Sequence, residues 1–123
     1  GIIDMGHYRD RLQILADILV VAVDGAKKTK IMYQANLSYR LLDQYLSYAT
    51  KAGLISISND QSHYVLTPKG LNFLKDYDQF SKRQRELQEQ TQIVEKERLM
   101  LEETYAITTV DSRSRNSSGK ANS

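Results

Sequence analysis

Arg40, Gln44, Ser47 and Lys51 recur four, three and four residues apart in "SYRLLDQYLSYATK". On a helix that spacing sets all four on one stripe. Arg pairs bidentately with guanine and Gln with adenine in a major groove, so such a stripe has the chemistry to read base edges. Leu42, Leu46 and Ala49 fall on the opposite face, with Tyr45 on the flank. Tyr39 and Asp43 flank the polar stripe. Ser38 and Tyr39 stand where the helix would begin, and free backbone N–H groups at a helix start favour phosphate. Any solvated helix face also looks like this, so the surrounding elements must decide between the two readings.

Lys27, Lys28 and Lys30 lie just upstream. With Arg40 and Lys51 they make five cations against one acid, Asp43, over residues 27–51. Lysines at the start of a helix oppose its dipole. That small misfit favours a role in meeting backbone phosphates, which position a protein on a duplex without reading its sequence. The tyrosines are dense here. Tyr45 and Tyr64 read as core aromatics with the hydroxyl at the surface, and Tyr39 is left open as a contact.

Other chemistries find little support. His7 and His63 are the only histidines, and there is no cysteine. Three or four convergent metal ligands are therefore not suggested. "GAKKT" lacks the spacing of a phosphate loop. No nucleophile, base and orienting acid are suggested either, so neither an enzyme nor a cofactor is expected.

A chain of 123 residues with 41% hydrophobic residues supports one small core and an appendage. No apolar run approaches the roughly 18 residues of a membrane span. No leader peptide is read at the N-terminus, and Gly1 in place of Met reads as an end made by processing or cloning. Absent cysteines fit a reducing compartment, so a cytoplasmic location is expected. The net charge is +2, and Arg113, Arg115 and Lys120 against Asp111 in the tail supply it. Any electrostatic footprint elsewhere must be local.

The elements that would position the stripe follow from periodicity and punctuation. "HYRDRLQILADILVVAVDG" predicts a first helix with Leu12, Leu15, Ile18, Leu19 and Ala22 on its apolar stripe, stopped by Gly25. Thr29 is the expected N-cap of a short second helix, Lys30 to Ala35, and Asn36 and Leu37 make a turn. Ser38 caps a third helix that runs to Ala52, with Gly53 in the left-handed stop position. "LISIS" and "HYVLT" around "NDQS" predict a hairpin. Thr67 and Pro68 restart a helix that persists to about Tyr105. At about 1.5 Å per residue it would be about 55 Å long. The fold class is therefore mainly α with a small β-hairpin: a winged helix-turn-helix followed by a long C-terminal coiled-coil helix. The expected divisions are an N-terminal arm (1–7), the winged helix (8–75), a dimerisation helix (76–105, continuous from near 68) and a disordered polar tail (111–123).

The last helix carries a heptad. Phe73, Phe80, Leu87, Val94 and Leu101 repeat every seven, and Tyr77, Gln84, Thr91, Arg98 and Tyr105 interleave at the other seam position. A sustained heptad implies a coiled-coil partner. Packing on the chain's own module explains Leu71, Leu74 and Tyr77, but that module is too small to cover a seam reaching Leu101. Homodimerisation through Tyr77, Phe80, Gln84, Leu87, Thr91, Val94, Arg98 and Leu101 is the economical reading. A parallel pair would bury Arg98 against its twin. Flanking charge agrees with the antiparallel choice. Residues 79–86 hold three cations against one acid, and residues 95–103 hold four acids against two cations. Antiparallel pairing sets these segments opposite each other.

"KIMYQANLSY", the "GLI" after the third helix and "LTPKG" resemble the archaeal winged-helix family that includes the crenarchaeal ten-kilodalton chromatin-associated proteins. The similarity covers about Tyr8 to Leu101. It implies binding of double-stranded DNA by the winged helix and dimerisation through an antiparallel coiled coil. The hairpin tip "SNDQSH" departs from a basic wing, since it carries no Lys or Arg. The expectation is a non-enzymatic duplex-DNA-binding homodimer with no membrane partner, acting as a transcriptional regulator or a chromatin-type architectural protein. The alternatives are a winged-helix protein-interaction module without DNA binding, or an RNA-binding protein.

Overall fold

A computed structural model describes residues 9–107. His7, the expected N-terminal arm (1–7) and the expected polar tail (111–123) lie outside the described residues. Six elements follow in order: α1 (Arg11–Val21), α2 (Lys28–Gln34), α3 (Tyr39–Lys51), β1 (Ile55–Ile57), β2 (Tyr64–Leu66) and α4 (Pro68–Thr104). The chain divides into two compact units, one through Ser81 and one from Lys82.

In the first unit, Leu15, Ile18, Leu19 and Ala22 of the α1 segment meet Ile31 and Ala35 of the α2 segment and Leu42, Leu46 and Ala49 of α3. Leu54 and Ile55 close this core from the start of the hairpin, and Phe73 and Leu74 of α4 pack against it. The apolar face expected for α3 is buried in full. Leu12, expected on the α1 stripe, is instead 42% exposed. The helix begins only at Arg11, with Asp10 capping the Gln13 amide. Leu12 therefore lies in the first turn, at the rim of the core.

The local signals hold at most boundaries. Ser38 accepts from the Leu41 amide and starts α3. Gly53 ends it at φ 78°, with the Leu54 amide donating back to Ala49 O at 2.9 Å. The exception is α2. Lys27, rather than Thr29, takes the cap position, and its side chain makes no capping bond. The helix therefore starts two residues earlier than the Thr-cap rule predicts. Asn36 turns the chain between α2 and α3 at φ 55°.

The hairpin pairs Ile55 with Leu66 and Ile57 with Tyr64. An isolated one-residue antiparallel bridge joins Ala26 to Tyr64, a pairing that periodicity does not reveal. The Tyr64 amide donates to Ala26 O at 2.8 Å and the Ala26 amide to Tyr64 O at 2.9 Å. The loop after α1 is thereby tied to the wing.

"LTPKG" joins α4 to the corner between α3 and β1. Thr67 Oγ1 donates to Gly53 O at 2.6 Å and accepts from the Gly70 amide at 3.0 Å. Lys69 Nζ donates to Ala52 O at 2.7 Å. That places a cation on the carbonyl end of α3, where the helix dipole favours one. Tyr77 stacks on Phe73, with centroids 6.1 Å apart. Burial, and then the carboxylates of Asp10 and Asp17, hold its phenol above the usual range.

In the second unit no described residue is buried. Leu87, Val94 and Leu101 are exposed, as are Ile93, Leu99 and Met100. Arg98 donates to Glu95 at 2.6 Å and Glu102 at 3.2 Å within its own helix. After α4, Ala106 turns at φ 55°, and the Ile107 amide donates back to Glu102 O at 2.8 Å.

Candidate nucleic-acid interface

The outward face of α3 is built by the burial of its inward one. Because Leu42, Leu46 and Ala49 are fixed in the core, Arg40, Gln44, Ser47 and Lys51 are all exposed. They form the single stripe that their spacing predicts. Lys27 and Lys30 are exposed at the start of α2, and among the described residues no ion pair involves them, Arg40 or Lys51. Ser38 is also exposed, but its hydroxyl oxygen already serves the Leu41 amide at 3.1 Å.

Lys28 behaves differently from its neighbours. Its ammonium donates to Asp43 Oδ1 at 2.7 Å and to Tyr39 Oη at 3.1 Å. It also lies 4.3 Å from the centroid of the Tyr39 ring. The hydrogen bonds to Asp43 and then Tyr39 hold it well above the usual lysine range. Tyr39 and Asp43 are one helical turn apart on α3, so a single cation from α2 reaches both. The sequence places Asp43 beside the stripe but does not show this clamp.

Arg9 is a second residue whose role spacing does not reveal. It donates to Asp17 at 2.9 Å, to Ala35 O at 2.7 Å and to Asn36 O at 2.9 Å. These carbonyls stand at the end of α2, where four acceptors lack helical partners. The guanidinium fork thus fixes the turn that sets α3 against α2.

The tyrosines divide as expected for two of them. Tyr45 and Tyr64 pack against the core, whereas Tyr33 is 85% exposed and Tyr39 and Tyr48 are exposed. An open groove of about 610 Å³ runs between α1 and α3, lined by Arg11, Leu12, Leu15, Gln44, Tyr45 and Tyr48. Gln44 thus belongs both to the stripe and to the edge of this groove.

The hairpin tip presents no cation. Asp60 Oδ1 accepts from Ser58 Oγ at 2.6 Å, Ser62 Oγ at 2.7 Å and the Ser62 amide at 3.1 Å. Ser58 and then Ser62 hold its carboxyl at about 2, below the ordinary 3.8. Ser62 Oγ also lies 2.7 Å from His63 Nδ1. The carboxylate contacts the hydroxyl rather than the imidazole, so the acid does not orient the base as in a hydrolase triad. Among the described residues no group of three or more His, Cys, Asp or Glu could hold a metal ion. No described helix is long and apolar enough to cross a membrane.

An uncharacterised protein of Methanocaldococcus jannaschii is 40% identical over 63 residues, which is 50% of this chain and 29% of that protein. The chain thus spans less than a third of that relative's length. The crystal structure of Sso10a-2, a DNA-binding protein from Sulfolobus solfataricus, is similar with a TM-score of 0.64 and 26% identity. The similarity covers 72% of this chain and 95% of that one. Both relatives are archaeal, as the sequence motifs lead one to expect. Residues 8–85, more than half of the chain, match the winged helix-turn-helix family, and the chain belongs to it.

Proposed function

We propose that this chain binds duplex DNA through α3 and acts as a homodimer through antiparallel pairing of α4, as a transcriptional regulator or an architectural protein of the nucleoid. The observation that carries the reading is the stripe of Arg40, Gln44, Ser47 and Lys51, exposed along a helix whose other face is locked in the core. Similarity to a DNA-binding protein of the same fold supports it. Base edges fall to Arg40, Gln44 and Ser47; Lys27, Lys30 and Lys51 meet phosphates, and the free amides at the start of α3 add a further phosphate site. The wing tip offers no Lys or Arg to the phosphates.

Dimerisation is supported by the aligned exposure of Phe80, Leu87, Val94 and Leu101. A seam of large apolar residues left in water is unfavourable, and a second copy of the same helix would cover it. Tyr77 is half-covered by its own module, so the seam proper runs from Phe80.

Binding of Arg40→Ala and Gln44→Ala variants to a panel of duplexes tests the reading. Each is expected to lose about 1–3 kcal/mol where a bidentate base contact is removed, with the loss varying between sequences. Parent-like binding by both would move the assignment to a protein-docking winged helix.

A further inference from the structure

We infer that Asp43 is a positioning residue that acts on DNA through Lys28: it holds that lysine in the corner between α2 and α3 and so keeps one cation out of the set that neutralises phosphates. The inference rests on the duplex-DNA reading and goes beyond it, because it sets the size of the sequence-independent part of binding.

Three lysines stand at the start of α2, and a phosphate reading from charge alone would count all three. The geometry separates them. Lys27 and Lys30 are exposed. Lys28 is held by Asp43 at 2.7 Å and Tyr39 at 3.1 Å, with its ammonium 4.3 Å from the Tyr39 ring centroid. Its side chain is 28% exposed, while that of Asp43 is 63% exposed. A phosphate approaching Lys28 would have to take it from a carboxylate that then remains, uncompensated, on the recognition face. Gaining one anion and losing another leaves no net attraction. The clamp also shields Arg40, Gln44 and Ser47 from the field of Asp43, because the carboxylate meets the groove already paired.

This division matters because phosphate contacts supply sequence-independent affinity and base contacts supply discrimination. A lysine withheld from the first set lowers general binding without altering the base-reading stripe. Asp43 thereby favours discrimination, although it needs to touch no base.

The test is the salt dependence of duplex binding by the full chain, for the parent, Asp43→Asn, Lys28→Ala and the double variant. Asn keeps the shape of Asp at an exposed position, and thermal melts check that each variant is folded. Asp43→Asn frees Lys28, so the slope of log K against log salt is expected to steepen by about 0.9 per winged helix. Between about 50 and 200 mM salt that is an additional loss of about 3.5-fold per winged helix. Lys28→Ala leaves Asp43 unpaired beside the stripe and is expected to weaken binding, whereas the double variant, which has neither charge, is expected to keep the parent slope. A double variant with a slope shallower than the parent's would show that Lys28 already contacts phosphate and would overturn the inference. A parent-like slope in Asp43→Asn would overturn it too. A double variant as steep as Asp43→Asn would show that Asp43 acts by its own charge, and would also overturn it. These outcomes leave the DNA reading standing. Absence of duplex binding by the parent at low salt would remove both.

Discussion

The α-carbon of Gly70 faces the carbonyl oxygen of Leu54 so closely that a Cβ built there would overlap it, and would also meet Leu66 Cδ1 at 2.6 Å. Glycine at the start of α4 is therefore set by close approach of two backbones, not by turn conformation. The approach is held by Thr67, whose hydroxyl bridges Gly53 O and the Gly70 amide. Gly70→Ala is expected to destabilise the first unit by about 2–3 kcal/mol, the upper part of the range for overpacking, because a backbone oxygen cannot swing aside. Denaturant unfolding followed by circular dichroism measures this. A variant within about 0.5 kcal/mol of the parent would contradict the packing described.

Arg9 should matter beyond its charge. Its fork serves Asp17, Ala35 O and Asn36 O together. Arg9→Ala is expected to cost about 1–2 kcal/mol, since these bonds are charge-assisted but partly solvent-screened. Arg9→Lys is expected to recover less than half of that, because an ammonium cannot reproduce the planar fork. Full recovery by lysine would reduce the role of Arg9 to simple charge pairing with Asp17.

Asp60 should stabilise the wing progressively less as the solution is acidified. Asp60 is held at about 2 by its serine partners, below the ordinary 3.8. Its folded value is depressed, so the carboxylate's contribution is fully present above the unfolded value. It fades as the pH falls through about 2. The Ser62 amide shift, followed by NMR, should titrate with a midpoint near that value. A midpoint near 4 would mean that the hydroxyls do not hold the carboxylate in solution.

The exposed seam of α4 predicts the oligomeric state. Leu87→Glu is expected to shift sedimentation from dimer to monomer while the winged-helix core keeps its fold, because no described residue of the second unit is buried. Orientation has its own test, which native cysteine does not complicate. Phe80→Cys should not crosslink under oxidation in an antiparallel dimer, since its twin lies far beyond the roughly 7 Å Cα separation that a disulfide spans. Efficient crosslinking there, in a folded dimer, would mean that the helices run parallel.

Much of this fold is legible in local sequence because its signals are local. Ser38 and Gly53 bracket α3 with a cap and a left-handed stop, and the Leu42, Leu46 and Ala49 face is buried as its spacing predicts. Thr67 and Pro68 start α4 for the same kind of reason. What spacing misses is settled by pairs far apart in the chain. Thr29 has the better capping side chain, yet α2 begins after Lys27. The Ala26 bridge to Tyr64 and the reach of Arg9 to Asn36 join residues with no periodic relation. At the site, the α3 stripe is visible from residue types and helical phase. The Lys28–Asp43–Tyr39 clamp is not, because it depends on the angle between two helices.

The most direct test of the central claim is the equilibrium affinity of the 123-residue chain for duplex DNA from about 50 to 200 mM salt, with structured RNA as competitor. The account predicts that log K falls linearly with log salt, as counterions are released from the phosphates that the lysines neutralise. It also predicts that RNA competes poorly, because the deep, narrow groove of an A-form helix does not admit α3. No measurable duplex binding at the lowest salt, or displacement of the duplex by equimolar RNA, would contradict it.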